Sequence, residues 1–96
     1  MLTIVVNIQV KPGREAEFEA VATELFATAR KAEPGAVFYH AFRAETPGLY
    51  VMIECFEDEK ALQLHRETAH FQKARPKLAE LWVGAPSVQR LVELTA

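Results

Sequence analysis

Two histidines five residues apart, His65 and His70, are the side chains best suited to moving a proton near neutral pH. An imidazole there can take a proton from a phenol or from an enolisable ketone. The structural alternatives are a partly exposed helix position for His65 and backbone hydrogen bonding at a kink for His70. Glu54 stands in an otherwise apolar stretch, Tyr50 to Phe56. A buried carboxylate must find a partner or shift its pKa upward. Glu54 is therefore either a base or the partner of an arginine such as Arg43 or Arg90, and the ion pair is the favoured reading. Tyr39, Phe56, Phe71 and Trp82 can wall a pocket for a flat ring or simply fill a core, with Phe71 and Trp82 the stronger wall candidates. Arg66, Lys73, Arg75 and Lys77 form either a solvated basic face or a hold for phosphate. No metal site is expected, because ligands on one helix face recur at three or four residues and no third ligand of suitable spacing is visible.

The elements that must position these residues follow from periodicity. Leu2 to Val10 alternates, with Leu2, Ile4, Val6, Ile8 and Val10 on one face and Thr3, Val5, Asn7 and Gln9 on the other. Lys11-Pro12-Gly13 breaks that strand. From about Arg14 to Lys31 an apolar stripe of Phe18, Val21, Ala22, Leu25, Phe26 and Ala29 predicts a helix. Glu33-Pro34-Gly35 stops it. Strands are expected over Ala36 to Ala44 and Leu49 to Phe56, joined by Thr46-Pro47-Gly48. Asp58 caps a helix from Glu59 to about His65, which Glu67-Thr68 interrupts. A further helix spans Ala69 to Leu81, disturbed at Pro76. After Gly84-Ala85-Pro86, Ser87 to Leu94 reads as a last strand. The order βαββαβ predicts an α+β, ferredoxin-like fold with a four-stranded antiparallel sheet and the helices on one face. Phe38 and Phe42 alternate with Tyr39 and Ala41, and Val51, Ile53 and Cys55 with Met52 and Phe56, so both sheet faces are apolar. Helices cover one; a homodimer packed through the other is the expected remedy.

Ninety-six residues, half of them hydrophobic and a quarter charged, suit one globular domain over 1–96 and exclude a disordered chain. A net charge of −2 argues against a nucleic-acid partner or an anionic membrane. The first residues show no basic segment ahead of a long apolar core, and no run approaches the ~20 apolar residues that span a bilayer. Cys55, the single cysteine, cannot form an internal disulfide, so a reduced, cytoplasmic protein is expected.

Lys11-Pro12-Gly13, then Glu33-Pro34-Gly35 with Tyr39, then Tyr50-Val-Met-Ile-Glu54-Cys-Phe56 followed by Ala61-Leu62, His65 and Ala69-His70-Phe71, form an ordered set. In this set the chain resembles the antibiotic biosynthesis monooxygenase superfamily, over nearly its whole length. The resemblance implies a dimeric α/β barrel of ferredoxin-like subunits and one of several activities. Some such proteins are cofactor-independent oxygenases of quinols and polyphenols, some degrade haem, and one is an isomerase of the phosphorylated autoinducer-2 signal, to which Tyr50 to Leu94 is especially similar. Asn7 stands where haem-degrading members have a pocket-facing asparagine and many others an acid. It either faces a pocket or is a tolerated polar residue. If it faces the pocket, Ile4, Val6 and Ile8 would face the partner subunit. Where haem-degrading members have their axial histidine and an upstream tryptophan, this chain has Arg75 and His65, which argues against haem degradation.

The leading expectation is a cofactor-independent monooxygenase of a quinol or other electron-rich aromatic, with no glycine-rich loop for a flavin or nicotinamide dinucleotide. His70 or His65 would deprotonate the substrate, Asn7 would steady the anion, and Phe71 and Trp82 would sandwich the ring, with Tyr39, Glu54, Arg66 and Arg75 around it. The alternatives are an isomerase or tautomerase of a small phosphorylated carbonyl compound, with Arg66, Lys73 or Arg75 on the phosphate, and a non-catalytic dimeric small-molecule-binding domain.

Overall fold

The computed structural model describes residues 1–95. The elements are β1 (Leu2–Gln9), α1 (Glu15–Ala32), β2 (Ala36–Arg43), β3 (Leu49–Phe56), α2 (Glu59–Glu67), α3 (Ala69–Ala79) and β4 (Ser87–Val92). The strands form one antiparallel sheet in the order β2-β3-β1-β4, the expected ferredoxin-like arrangement. β4 ends at Val92, two residues before the expected limit, and Val10 joins Trp82 in an isolated bridge.

Pairing across the ladders fixes which residues share a face. Tyr39, Glu54, Ile4 and Arg90 lie in one row, and Ala41, Met52, Val6 and Val88 in the next. These rows face the helices. Phe38, Cys55, Thr3 and Leu91 form a row on the opposite side, as do Phe42, Val51, Asn7 and Ser87. A bulge at Val37 lets β2 keep Tyr39 inward although its first residues are out of step.

α1 buries Phe18, Ala22, Leu25, Phe26 and Ala29, the stripe expected from the sequence, against the covered rows. Each buried phenylalanine or leucine there contributes roughly 1.5–3 kcal/mol. Phe26 lies with its ring centroid 4.0 Å from that of Tyr39. Arg30 near the end of α1 donates to the Tyr39 carbonyl at 2.9 Å, tying the helix to β2.

Two side chains decide the direction of the chain between β3 and β4. Asp58 accepts from the Ala61 amide at 2.9 Å and starts α2. Thr68 is extended, at φ −68° and ψ 149°, and serves both helices. Its hydroxyl donates to the His65 carbonyl at 2.7 Å and accepts from the Phe71 amide at 3.3 Å. The interruption read from Glu67-Thr68 is thus a shared cap. It puts His65 in the last turn of α2 and His70 in the first turn of α3. Gly35, after α1, packs so closely on α2 that a Cβ there would stand 2.7 Å from the Ala61 Cβ. That contact brings the end of α1 against the α2–α3 junction.

Candidate active site

Between the covered sheet face and the helices lies a cavity of about 410 Å³, within the range of small-molecule sites. Ile4, Val6 and Met52 form its floor, Leu25 and Phe26 one wall, and Phe71, Leu78 and Trp82 another. Its ionisable side chains are Glu54, Tyr39, His65, Arg66 and Arg75.

Strand alternation turns the part-buried Glu54 toward this space. Burial raises its carboxyl to about 7, with the Arg66 charge pulling the other way and Glu33 adding slightly to the rise. Among the described residues no hydrogen bond or ion pair reaches this carboxyl. The arginine pairings expected from the sequence are not formed: Arg43 binds Glu19 at 2.9 Å, and Arg90 pairs with Glu59 across the surface. Both arginines sit at the sheet margin, where exposed acids are nearer.

His65 is 2% exposed and hydrogen-bonded at both nitrogens. Nδ1 lies 2.8 Å from Glu33 Oε1, and Nε2 lies 3.1 Å from the Tyr39 hydroxyl. Burial lowers its pKa despite the neighbouring Glu33. Burial also raises the Tyr39 phenol, helped by the Glu54 and Glu33 charges, so Tyr39 keeps its proton and donates. The network therefore assigns the Nδ1–H tautomer: Tyr39 donates to Nε2, and Nδ1–H donates to Glu33.

His70 Nε2 is hydrogen-bonded to the other oxygen of Glu33. Its ring lines an outer groove with Glu24, Lys73 and Lys77, not the cavity. Asn7 is likewise absent from the cavity. It pairs with Val51 and Ser87 on the uncovered face, whereas Ile4 and Val6 line the pocket and Ile8 is fully buried. The two-residue period that placed Asn7 opposite Ile4 and Val6 gives the reason. The cavity thus gathers His65, Tyr39, Glu54, Phe71, Trp82, Arg66 and Arg75, and leaves out His70, Asn7 and Lys73.

Glu33 is the residue that sequence reasoning missed. It served there only as part of a helix stop. One signal was available: an acid at a helix C-terminus opposes the helix dipole and needs compensation. Here two imidazoles provide it. The Trp82 indole Nε1 is buried with no hydrogen-bond partner among the described residues. Arg75 lies over the Trp82 ring, 5.9 Å from its centroid.

The sequence profile described as "Antibiotic biosynthesis monooxygenase" matches residues 1–77. The chain belongs to this family. YcnE of Bacillus subtilis (strain 168), provisionally named a monooxygenase, is 38% identical over 87 residues, 90% of each chain. A crystal structure from Caulobacter crescentus CB15, provisionally named an antibiotic biosynthesis monooxygenase, superposes with a TM-score of 0.93 at 30% identity, covering 98% of this chain and 90% of that one. PA3566 from Pseudomonas aeruginosa superposes at 0.87 with 28% identity, covering 98% and 94%. Family and relatives together support monooxygenation as the general activity. No helix among the described residues is long and apolar enough to cross a membrane.

The buried chain from Tyr39 through His65 to Glu33 has a measurable stability consequence. Tyr39→Phe leaves the Nε2 acceptor of His65 buried without a donor, so denaturant unfolding should show a loss of about 1–3 kcal/mol. Because burial lowers the His65 pKa, the contribution of this group to stability is lost as pH falls below about 6.5, where the unfolded imidazole takes up a proton. An unchanged midpoint in Tyr39→Phe would show that the hydroxyl holds nothing in place.

Proposed function

We propose that this family member is a cofactor-independent monooxygenase of an ionisable, electron-rich aromatic such as a quinol. The observation that carries the reading is the Glu54 carboxyl, poised at about 7 in an apolar cavity of ring-binding size. A carboxyl near neutrality accepts a proton and returns it with little penalty. Glu54 takes the hydroxyl proton of the bound quinol, Arg66 and Arg75 at the mouth favour the resulting anion, and Phe71 and Trp82 flank the ring. His65, already bonded at both nitrogens, is a positioning residue that holds Tyr39 in the wall. His70, originally expected as a base, has no substrate role in this reading.

The electrons come from the substrate. The anion passes electrons to dioxygen, one oxygen atom forms a bond to a ring carbon, and the other leaves as water. Quinol and dioxygen then give hydroxylated quinone and water. The four electrons accepted by dioxygen come from the quinol oxidation and the ring carbon–hydrogen bond.

A second reading is favoured by Arg66 and Arg75, which have no carboxylate partner among the described residues and both line the cavity. That pair suits the phosphate of a small carbonyl compound undergoing isomerisation. Oxygen consumption separates the two, since isomerisation needs none.

The uncovered sheet face supports a homodimer packed sheet to sheet, giving the dimeric α/β barrel. Phe38 and Phe42 are 40% and 46% exposed there, beside Val51, Ile53 and Cys55. In sedimentation the parent should run at twice the chain mass and Phe42→Glu at the chain mass. A monomeric parent contradicts the dimer.

The oxygenase reading is tested with menadiol-type quinols in an oxygen electrode, with chelator present and the protein-free oxidation subtracted. The parent should consume oxygen, place one atom of labelled dioxygen in the product, and speed up as pH rises through about 7. Glu54→Gln should be slower by at least about 100-fold. Equal rates would remove Glu54 from the mechanism, and label-free product would remove monooxygenation.

A further inference from the structure

Behind the cavity wall, one cluster joins His65 to two side chains, Glu33 and His70, that have no role in the chemistry above. Glu33, His65 and His70 bring one carboxylate oxygen and two imidazole nitrogens within 4.8 Å of one another. We propose that these three side chains bind one divalent transition-metal ion of the zinc class, in a site that shares only His65 with the wall of the oxygenase pocket.

Each ligand comes from a different part of the fold. Glu33 is the C-cap of α1, His65 lies in the last turn of α2, and His70 in the first turn of α3. The Thr68 double cap aims both imidazoles at one carboxylate, which a single continuous helix with histidines five apart would not do. The side chains are 10%, 2% and 18% exposed, so the donors are already largely withdrawn from water.

The donor chemistry sets the class of ion. Two imidazoles and one carboxylate suit zinc, cobalt, nickel or copper, whereas calcium and magnesium prefer all-oxygen shells. Three protein ligands also leave a coordination position for water. The outer contact is in place: Tyr39 lies 3.1 Å from His65 Nε2. An ion at Nδ1 requires the proton at Nε2, and the Tyr39 hydroxyl then turns from donor to acceptor. Such a hydrogen bond from the second ring nitrogen is the usual support of a metal-bound histidine. His70 likewise carries its proton on Nδ1 when Nε2 binds the ion.

Access does not involve the cavity. His70 lines the outer groove, whose charged groups are Glu24, Lys73 and Lys77. The two lysines oppose a cation there, so the carboxylate of Glu33 is indispensable to the site. A bound ion would clasp the end of α1 to the α2–α3 junction and stabilise the fold in proportion to occupancy.

The test uses the full chain, stripped with chelator and titrated with cobalt(II) and zinc(II). The parent should bind one equivalent, show cobalt absorption bands of a four- or five-coordinate site, and melt at higher temperature with zinc. Glu33→Gln and His70→Ala should each weaken binding by more than about tenfold and abolish the melting shift. His70 is part-exposed, so its variant keeps the test valid if Glu33→Gln is poorly folded by circular dichroism. His40→Ala, at the uncovered face, should bind as the parent does. Binding that His70→Ala leaves intact, several weak equivalents, or no binding would each overturn the site. The titration needs no substrate, so its outcome stands apart from that of the oxygen measurement.

Discussion

The withdrawal of the Glu54 carboxyl from water is the constraint on which the candidate site depends. An ionised carboxylate in an apolar space is costly, and among the described residues it has no hydrogen bond, only the charge of Arg66 acting on it. The consequence is a group balanced near neutrality rather than one fixed as an anion. Its folded pKa lies above the ordinary carboxylate value, so the contribution of this one group to stability is largest below about 4.5 and declines as pH rises to about 7, opposite in direction to that of His65. A residue retained at that cost is more readily understood as functional than as a contribution to the fold.

The neighbours of Glu54 follow from the same row of the sheet. Tyr39 is its cross-strand partner, so the phenol shares the dry space and stays protonated. A protonated Tyr39 fixes the tautomer of His65, which in turn engages Glu33, and Glu33 holds His70. One hydrogen-bonded line thus runs from the cavity wall to the outer groove. It is supported at one end by β2 and at the other by the Thr68 junction. The cavity and the histidine cluster lie at the two ends of that line.

Much of this was legible in the sequence. The βαββαβ order, the α1 stripe, the Asp58 cap and the break at Thr68 are local or periodic features, and the structure reproduces them. The aromatic and charged residues of the cavity were also identifiable, because kinked helical stretches and a glutamate in an apolar strand are visible without coordinates. What was not visible depends on distances across the chain. Glu33 is 32 residues from His65, and only the packing of Gly35 on Ala61 brings them together. His70 could not be assigned to a side of the helix until the Thr68 cap fixed the turn. The preference for pairing Glu54 with Arg43 or Arg90 failed because competing acids, Glu19 and Glu59, are set by tertiary neighbours.

The most direct test of this account is the titration of the Glu54 side-chain carboxyl itself, followed by carbon NMR in protein labelled at glutamate and assigned with Glu54→Gln. The account predicts a midpoint near 7. A midpoint at the ordinary value of about 4.5 would show a solvated carboxylate and contradict it.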